Sequence, residues 1–356
     1  MSASIVALAG DGIGPEVMAV ATDVLRAIAQ HANFAFDLQP ALIGGAAIDA
    51  TGEPLPAATR ELCMKADAVL LGAVGGPQWQ SVNIAQRPEG GLLQLRELLA
   101  VFANLRPVRT HPALYDASPL KNDRLHGVDI MVVRELTGGI YFGDKREGDE
   151  TASDACVYTR KEVARVVRIA ADLAVRRNGK LTSVDKSNVL ATSRLWRRVT
   201  DAIVADEFPT LTLEHLLVDA AAMHLLARPD RFDVMVTENM FGDILTDEAS
   251  MLAGSLGLLP SASLGERQSE FGTIGLYEPI HGSAPDIAGK GIANPCGMLA
   301  SIAMMLRYSL GQPDLADQLD GAIEQALADG CRTADIATQG DAMGTTAMGE
   351  AVIARL

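Results

Sequence analysis

Phe232-Asp-Val-Met-Val-Thr-Glu-Asn-Met-Phe-Gly-Asp-Ile-Leu-Thr-Asp-Glu248 runs from a block of apolar residues straight into a polar, helix-compatible stretch. Residues 232–237 read as a buried strand, and the residues from Gly242 onward read as a helix. A strand feeding a helix with almost no loop between them is half of a βα unit and points to an α/β fold. If Gly242 opens the helix, Asp243 and Asp247 lie one turn apart on the same face. Two carboxylates so placed repel each other and call for a cation, either a divalent metal ion or an arginine. Oxygen-only ligands suit Mg²⁺ or Mn²⁺. Taken alone, the pair reads as solvated helix surface, so its meaning depends on what the rest of the chain brings.

The chain has 356 residues, 48% of them apolar, enough for a large core and two domains. It carries 45 acidic and 30 basic residues, a net charge of −15. Such a protein is a poor general ligand for nucleic acid or an anionic membrane, and neither is expected as a partner. An anionic substrate would need basic residues concentrated locally against that field. No apolar run approaches the roughly 20 residues of a membrane span. The first ten residues lack the basic start of a signal peptide. Cys63, Cys156, Cys296 and Cys331 are far apart in sequence, which predicts reduced thiols and a cytoplasmic location.

Working outward, residues 4–9 read as a strand ending in Gly10-Asp-Gly-Ile-Gly-Pro-Glu16, with a helix following to about residue 30. The glycine spacing is not G-x-G-x-x-G, and no acidic residue closes a following strand at the expected offset. The reading is a tight turn with positive φ at its glycines, not a Rossmann phosphate loop. Strands are expected at 34–39, 68–73, 101–108, 129–134, 180–188 and 211–219. Helices are expected at 56–66, 91–100, 157–178, 194–208, 220–228, 298–309 and 315–329. The glycines of 135–143 read as hairpin-like around Tyr141, residues 145–154 as a surface loop, and 276–289 as a loop with little regular structure.

The chemistry-bearing residues fall at the ends of these elements. Arg96 lies beside the Leu92, Leu95 and Leu99 stripe of one helix, and Arg106 and Arg134 belong to strands. Three arginines so placed in an acidic chain fit a small polycarboxylate, because the guanidinium fork pairs carboxylates bidentately. Lys186, Asp219 and the Asp243–Asp247 pair all sit at or just after strand ends, the edge where α/β sheets carry their sites.

These motifs together resemble the isocitrate/isopropylmalate dehydrogenase family of β-decarboxylating dehydrogenases. The resemblance covers almost the whole chain, through GDGIGPE at 10–16, GAVGGPQW at 72–79, RPEGGLLQLR at 87–96, NLRP at 104–107, VRELTGGIYFG at 133–143, SVDKSNVL at 183–190, NMFGDILTDEAS at 239–250 and EPIHGSAPDIAGKGIANP at 278–295. It implies two α/β domains sharing a long mixed sheet, not a Rossmann fold. A discontinuous cofactor domain would take 1–101 plus 254–356, and a substrate and dimerisation domain 102–253. It also implies a homodimer whose active sites are shared between subunits.

By position, the resemblance makes Asp243 and Asp247 metal ligands from one subunit and Asp219 the ligand from the other, where it also meets the substrate. Arg96, Arg106 and Arg134 become the carboxylate clamp. Lys186, donated across the dimer, becomes the base for the substrate hydroxyl, and Tyr141 the acid that protonates the enol after CO₂ leaves. Leu92 and Leu93 would face a branched alkyl group. Gly76 and Glu89 would lie near the nicotinamide ribose of NAD. His281, Gly282, Ser283, Ala284, Pro285, Asp286 and Asn294 would form the rest of the cofactor loop, with Asp286 on the ribose hydroxyls favouring NAD over NADP. The implied reaction is the oxidative decarboxylation of 3-isopropylmalate to 4-methyl-2-oxopentanoate in leucine biosynthesis.

Two positions depart from the family pattern. Ala220 follows Asp219 where the family usually has asparagine, and the loop between Gly143 and Val157 is short and acidic. Both fit a sister enzyme acting on tartrate, homoisocitrate or another 3-alkylmalate, which is the main rival reading. A catalytically silent regulatory subunit is the second rival, and the intact set of Tyr141, Lys186, Asp219, Asp243 and Asp247 argues against it.

Overall fold

The computed structural model describes residues 2–32, 34–80, 83, 86–338 and 340–356. The chain forms two compact units, Met1–Val101 with Gly254–Leu356, and Phe102–Ala253. Each unit contains a mixed five-stranded sheet.

The first unit begins with β1 (Ala3–Gly10), α1 (Gly14–Ala32), β2 (Phe36–Ala41), α2 (Gly44–Thr51), α3 (Ala57–Lys65), β3 (Ala68–Ala73) and α4 (Pro88–Leu99). β1 lies between β2 and β3, parallel to both. All six residues of β3 are buried, as expected for a parallel strand covered on both faces. Gly10 and Gly12 have positive φ, as the turn reading requires.

The second unit contains β4 (Ala103–Arg109), β5 (Asp129–Glu135), the short pair β6 (Lys145–Arg146) and β7 (Ser153–Asp154), α5 (Arg160–Arg176), β8 (Lys180–Asp185), α6 (Ala191–Glu207), β9 (Thr212–Leu217), α7 (Val218–Ala227), β10 (Val234–Thr237) and α8 (Asn239–Ala253). Its strand order is β4-β5-β10-β8-β9. β4 is antiparallel to β5, and the other neighbours are parallel. The parallel strands β5, β10, β8 and β9 therefore all end at one edge, and everything that follows them is delivered there. α5 starts with a capping box in which Thr159 and Glu162 each hold the other's backbone.

The chain then returns to the first unit with β11 (Pro260–Gln268), β12 (Thr273–Pro279), α9 (Cys296–Tyr308), α10 (Pro313–Ala328) and α11 (Thr345–Ile353). β11 and β12 are antiparallel, and β12 runs parallel to β3. All four cysteines are free, with Cys63 and Cys296 buried. No helix among the described residues is long and apolar enough to cross a membrane.

Several local expectations are corrected. α8 begins at Asn239 instead of Gly242, because the Glu238 side chain accepts from Phe241 N at 2.9 Å and caps the helix earlier. β9 stops at Leu217, so Asp219 lies in the first turn of α7 and is not a strand terminus. Residues Gly139–Tyr141 form a turn of 3₁₀ helix, where a hairpin was expected. Residues 145–154 include the exposed β6–β7 pair. The stretch from Leu276 to Pro279 completes β12 before the chain turns irregular.

Candidate active site

Strand register places the first cluster. Asn104 of β4 stands opposite Arg134 of β5, so Arg106, two residues along β4, shares their face. Thr237 of β10 is level with Arg134, and α8 starts two residues later. The first two turns of α8 thus meet both arginines. Arg134, 4% exposed, donates from Nε to Asn239 Oδ1 at 2.9 Å and pairs through Nη1 with Asp243. Arg106 donates to Asn104 Oδ1 and Thr246 Oγ1, both at 2.6 Å. Its guanidinium lies 3.9 Å from Asp243 and 3.8 Å from Asp247. Tyr141 donates its hydroxyl to Asp243 Oδ2 at 3.0 Å.

Asp243 therefore holds an arginine on one oxygen and a phenol on the other. Burial, and then the neighbouring Asp243 carboxylate, raise the Tyr141 phenol above its ordinary value. It stays protonated at neutral pH and able to give a proton. Burial also raises the Asp247 carboxyl, with Arg106 pulling the other way. Asp243 and Asp247 present oxygen donors only, and their side chains are 37% and 65% exposed. That donor set fits Mg²⁺ or Mn²⁺. Among the described residues, no group of three His, Cys, Asp or Glu that could hold a metal ion is present.

A second cluster sits on the neighbouring strands. Asp185 of β8 is level with Leu217 of β9, so Lys186 and Asp219, just beyond these ends, come together. Lys186 Nζ donates to Asp219 Oδ1 at 2.7 Å. That hydrogen bond lowers the Asp219 carboxyl below its usual value, keeping it ionised. Ser193 Oγ anchors the Lys186 backbone at 3.0 Å. The asparagine the family usually has after Asp219 is Ala220 here.

The first unit carries the remaining expected residues. On α4, Leu95 and Leu99 are buried, Leu92 is half-buried and Leu93 is exposed. Arg96 donates from Nη2 to Glu278 of β12 at 2.9 Å, and its Nε is buried with no partner. The turn after β1 serves the 281–291 segment. Ile13 N donates to the Ser283 carbonyl at 2.8 Å, and a Cβ on Gly12 would come within 1.9 Å of that oxygen. Glu16 accepts from Gly289 N, and from Gly291 N at 2.9 Å. The turn after β1 thus packs against the 281–291 segment, and Gly12 is where that approach leaves no room for a side chain.

His281 has its Nδ1 2.9 Å from the Gly282 carbonyl, while Nε2 is buried with no partner. Burial lowers its pKa, so the ring is neutral at pH 7 and Nε2 is open to a ligand. Ser283 is buried, Ala284 has φ +40°, and Gly282, Pro285 and Asp286 are exposed. A cavity of about 610 Å³ is lined by Gly76, Trp79, Arg87, Glu89 and Pro285 among others, a size suited to a nucleotide fragment. Residues 81, 82, 84 and 85 of the 76–89 segment lie outside the described residues. Asn294 turns inward, donating to Asp335 at 3.1 Å and accepting from Cys296 N at 3.0 Å, so its amide is committed to the fold.

Residues 4–352 match the family model described as isocitrate/isopropylmalate dehydrogenase. The chain belongs to the isocitrate/isopropylmalate dehydrogenase family. It is 55% identical to the 3-isopropylmalate dehydrogenase of Halalkalibacterium halodurans over 99% of this chain and 97% of that protein. The Bacillus subtilis 3-isopropylmalate dehydrogenase is 53% identical over 100% of this chain and 98% of its own length. Among solved structures, isocitrate dehydrogenase from Methylococcus capsulatus matches with a TM-score of 0.87 at 34% identity, covering 99% of both chains. Within this family frame, the partners that sequence reading missed are Asn104, Asn239, Thr246 and Glu278, which orient the arginines. Asn239 and Thr246 lay inside the opening motif, but nothing local marked what they bind.

Proposed function

We propose that this chain is an NAD-dependent dehydrogenase that oxidatively decarboxylates 3-isopropylmalate to 4-methyl-2-oxopentanoate and CO₂ in leucine biosynthesis. The observation that carries this reading is the convergence of Tyr141, Arg134 and Arg106 on Asp243. It supports a reading in which Arg106 and Arg134 serve as an anion clamp, Tyr141 as the acid and Asp243 as a carboxylate ligand. When bound, a divalent cation would supply Lewis-acid stabilisation of oxygen charge, and NAD would accept the hydride.

In this reading Asp243 and Asp247 hold the cation together with Asp219 of the partner subunit. Arg106, Arg134 and Arg96 bind the substrate carboxylates. Lys186 of the partner subunit takes the hydroxyl proton as hydride leaves C2. Loss of CO₂ leaves its electron pair as an enolate, and the Tyr141 hydroxyl gives a proton to the carbon that lost CO₂. Leu92 and Leu93 are assigned to the alkyl group. His281 Nε2 and Asp286 are assigned to the adenosine half of NAD.

Two features support a dimer with shared sites. Among the described residues, Asp243 and Asp247 have no third metal-ligating side chain grouped with them. In addition, Met223 and Leu226 of α7 and Ile244 and Met251 of α8 are exposed, forming apolar surface on packed helices that a second copy would cover.

The test is kcat/KM for 3-isopropylmalate against isocitrate, tartrate and 3-methylmalate, each with NAD and NADP and with Mg²⁺ or Mn²⁺. Preference for 3-isopropylmalate with NAD is expected. A higher kcat/KM for any of the other three acids would replace the substrate assignment.

A further inference from the structure

Asn239 is fully buried at the first position of α8, yet its side chain does nothing for that helix. Glu238 caps α8 instead. The Asn239 amide points back toward β5. Its Oδ1 accepts from Arg134 Nε at 2.9 Å, and its Nδ2 donates to the carbonyls of Leu136 at 3.2 Å and Gly138 at 3.1 Å. Its backbone N–H donates to the Tyr158 hydroxyl at 3.0 Å. The residue therefore joins three pieces of chain: the end of β5, the turn that follows it, and the start of α8. Those pieces carry Arg134, Tyr141 and Asp243.

The chemistry of the three partners selects an amide. A guanidinium N–H needs an acceptor, and two carbonyls need donors. One planar group with an acceptor on one side and two N–H donors on the other satisfies all three. An aspartate at this position would keep the arginine bond and set a carboxylate oxygen against carbonyls. A serine offers a single donor and a shorter reach.

We propose that Asn239 is a positioning residue, which holds the Arg134 guanidinium and the Tyr141 turn in register so that both meet Asp243. The inference rests on the reading of Arg134, Tyr141 and Asp243 as clamp, acid and metal ligand. Asn239 touches none of the reacting atoms. It acts through the turn and the arginine.

The experiment uses the full-length protein with 3-isopropylmalate, NAD and Mg²⁺, comparing wild type with Asn239→Asp and, as a second variant, Asn239→Ser. Kcat should fall about 10- to 100-fold, the usual scale for residues that orient a ligand set, with KM for NAD unchanged. In a Tyr141→Phe background the fold-loss from Asn239→Asp should be smaller than in the wild-type background, because one of the two groups it positions is already gone. An equal fold-loss in both backgrounds overturns the inference.

Crystal structures of the variants supply a readout that does not need turnover. The Tyr141 hydroxyl should move beyond about 3.5 Å from Asp243. A folded variant with that hydrogen bond intact overturns the inference. If wild type does not turn over 3-isopropylmalate, the proposed function falls, and the crystallographic distance still decides the role of Asn239. Loss of folding in both variants, seen by circular dichroism, overturns positioning in favour of a purely structural role.

Discussion

At Gly242 the site depends on the absence of a side chain. A Cβ there would stand 2.7 Å from Arg134 Cγ and 2.8 Å from its Cβ. The arginine crosses the helix at this point on its way to Asp243. Replacing glycine by alanine inside a helix ordinarily stabilises by up to about 1 kcal/mol, whereas overpacking a tight contact costs about 1–3 kcal/mol. For Gly242→Ala the two nearly offset, so stability should change by less than about 2 kcal/mol. Displacement of the guanidinium should nevertheless lower kcat/KM by about 100-fold. Urea unfolding and steady-state kinetics separate the two effects, and an unchanged kcat/KM would remove Arg134 from the clamp. Asp243→Asn tests the neighbouring residue, which is proposed as a metal ligand. The amide oxygen can still accept from Arg134, so the fold should survive with a loss of about 1–3 kcal/mol. Metal-dependent turnover should fall by about 100-fold or more. Near-wild-type activity with Mg²⁺ in a correctly folded variant would defeat the metal assignment.

At the scale of elements, continuous apolar runs were the legible feature. Residues 68–73, 129–134 and 232–237 read as strands because parallel strands are buried on both faces and need no alternation. β11 escaped notice because Pro260-Ser-Ala-Ser-Leu-Gly265 is buried at every position while mixing serine, glycine and proline with apolar residues. Element ends shifted where side chains intervene, as Glu238 does at α8. The residue types of the site were visible at strand ends. Their partners were not, because Asn239 binds groups 101 to 105 positions away. The junction between β10 and α8 also carries a pH signature. Tyr158 lies 3.4 Å from Glu135 Oε2 and 3.3 Å from Glu238 Oε2, and burial raises both carboxyls. A carboxyl whose folded pKa is raised binds its proton more tightly in the native state, so stability falls as pH rises above the unfolded value near 4.5. Glu238→Gln keeps an acceptor for Phe241 N and removes the charge. Its urea midpoint should therefore decline less than that of wild type between about pH 5 and pH 8. Parallel profiles for the two proteins would show that Glu238 does not hold the proton.

For the whole molecule, the telling fact is that Lys186 pairs with Asp219 while Tyr141 pairs with Asp243. If each site takes Tyr141, Asp243 and Asp247 from one subunit and Lys186 with Asp219 from the other, damage to the two pairs must complement. Lys186→Met homodimers should be inactive because every site lacks its base. Asp243→Asn homodimers should be inactive because every site lacks a ligand. In a hybrid dimer, both lesions fall in the same site, and the other site receives an intact Asp243 from one chain and an intact Lys186 from its partner. Unfolding and refolding an equimolar mixture gives about half hybrids, each with one whole site, so activity should recover to about a quarter of wild type. Sites built within single chains recover nothing, because each chain in the mixture keeps its own lesion. Hybrids verified by differential tagging and still inactive would therefore refute sharing. The same mixture made with Met223→Asp added to both chains tests the surface involved. A charge on that exposed face should hold the chains apart and abolish the recovery, leaving each folded protomer with half a site.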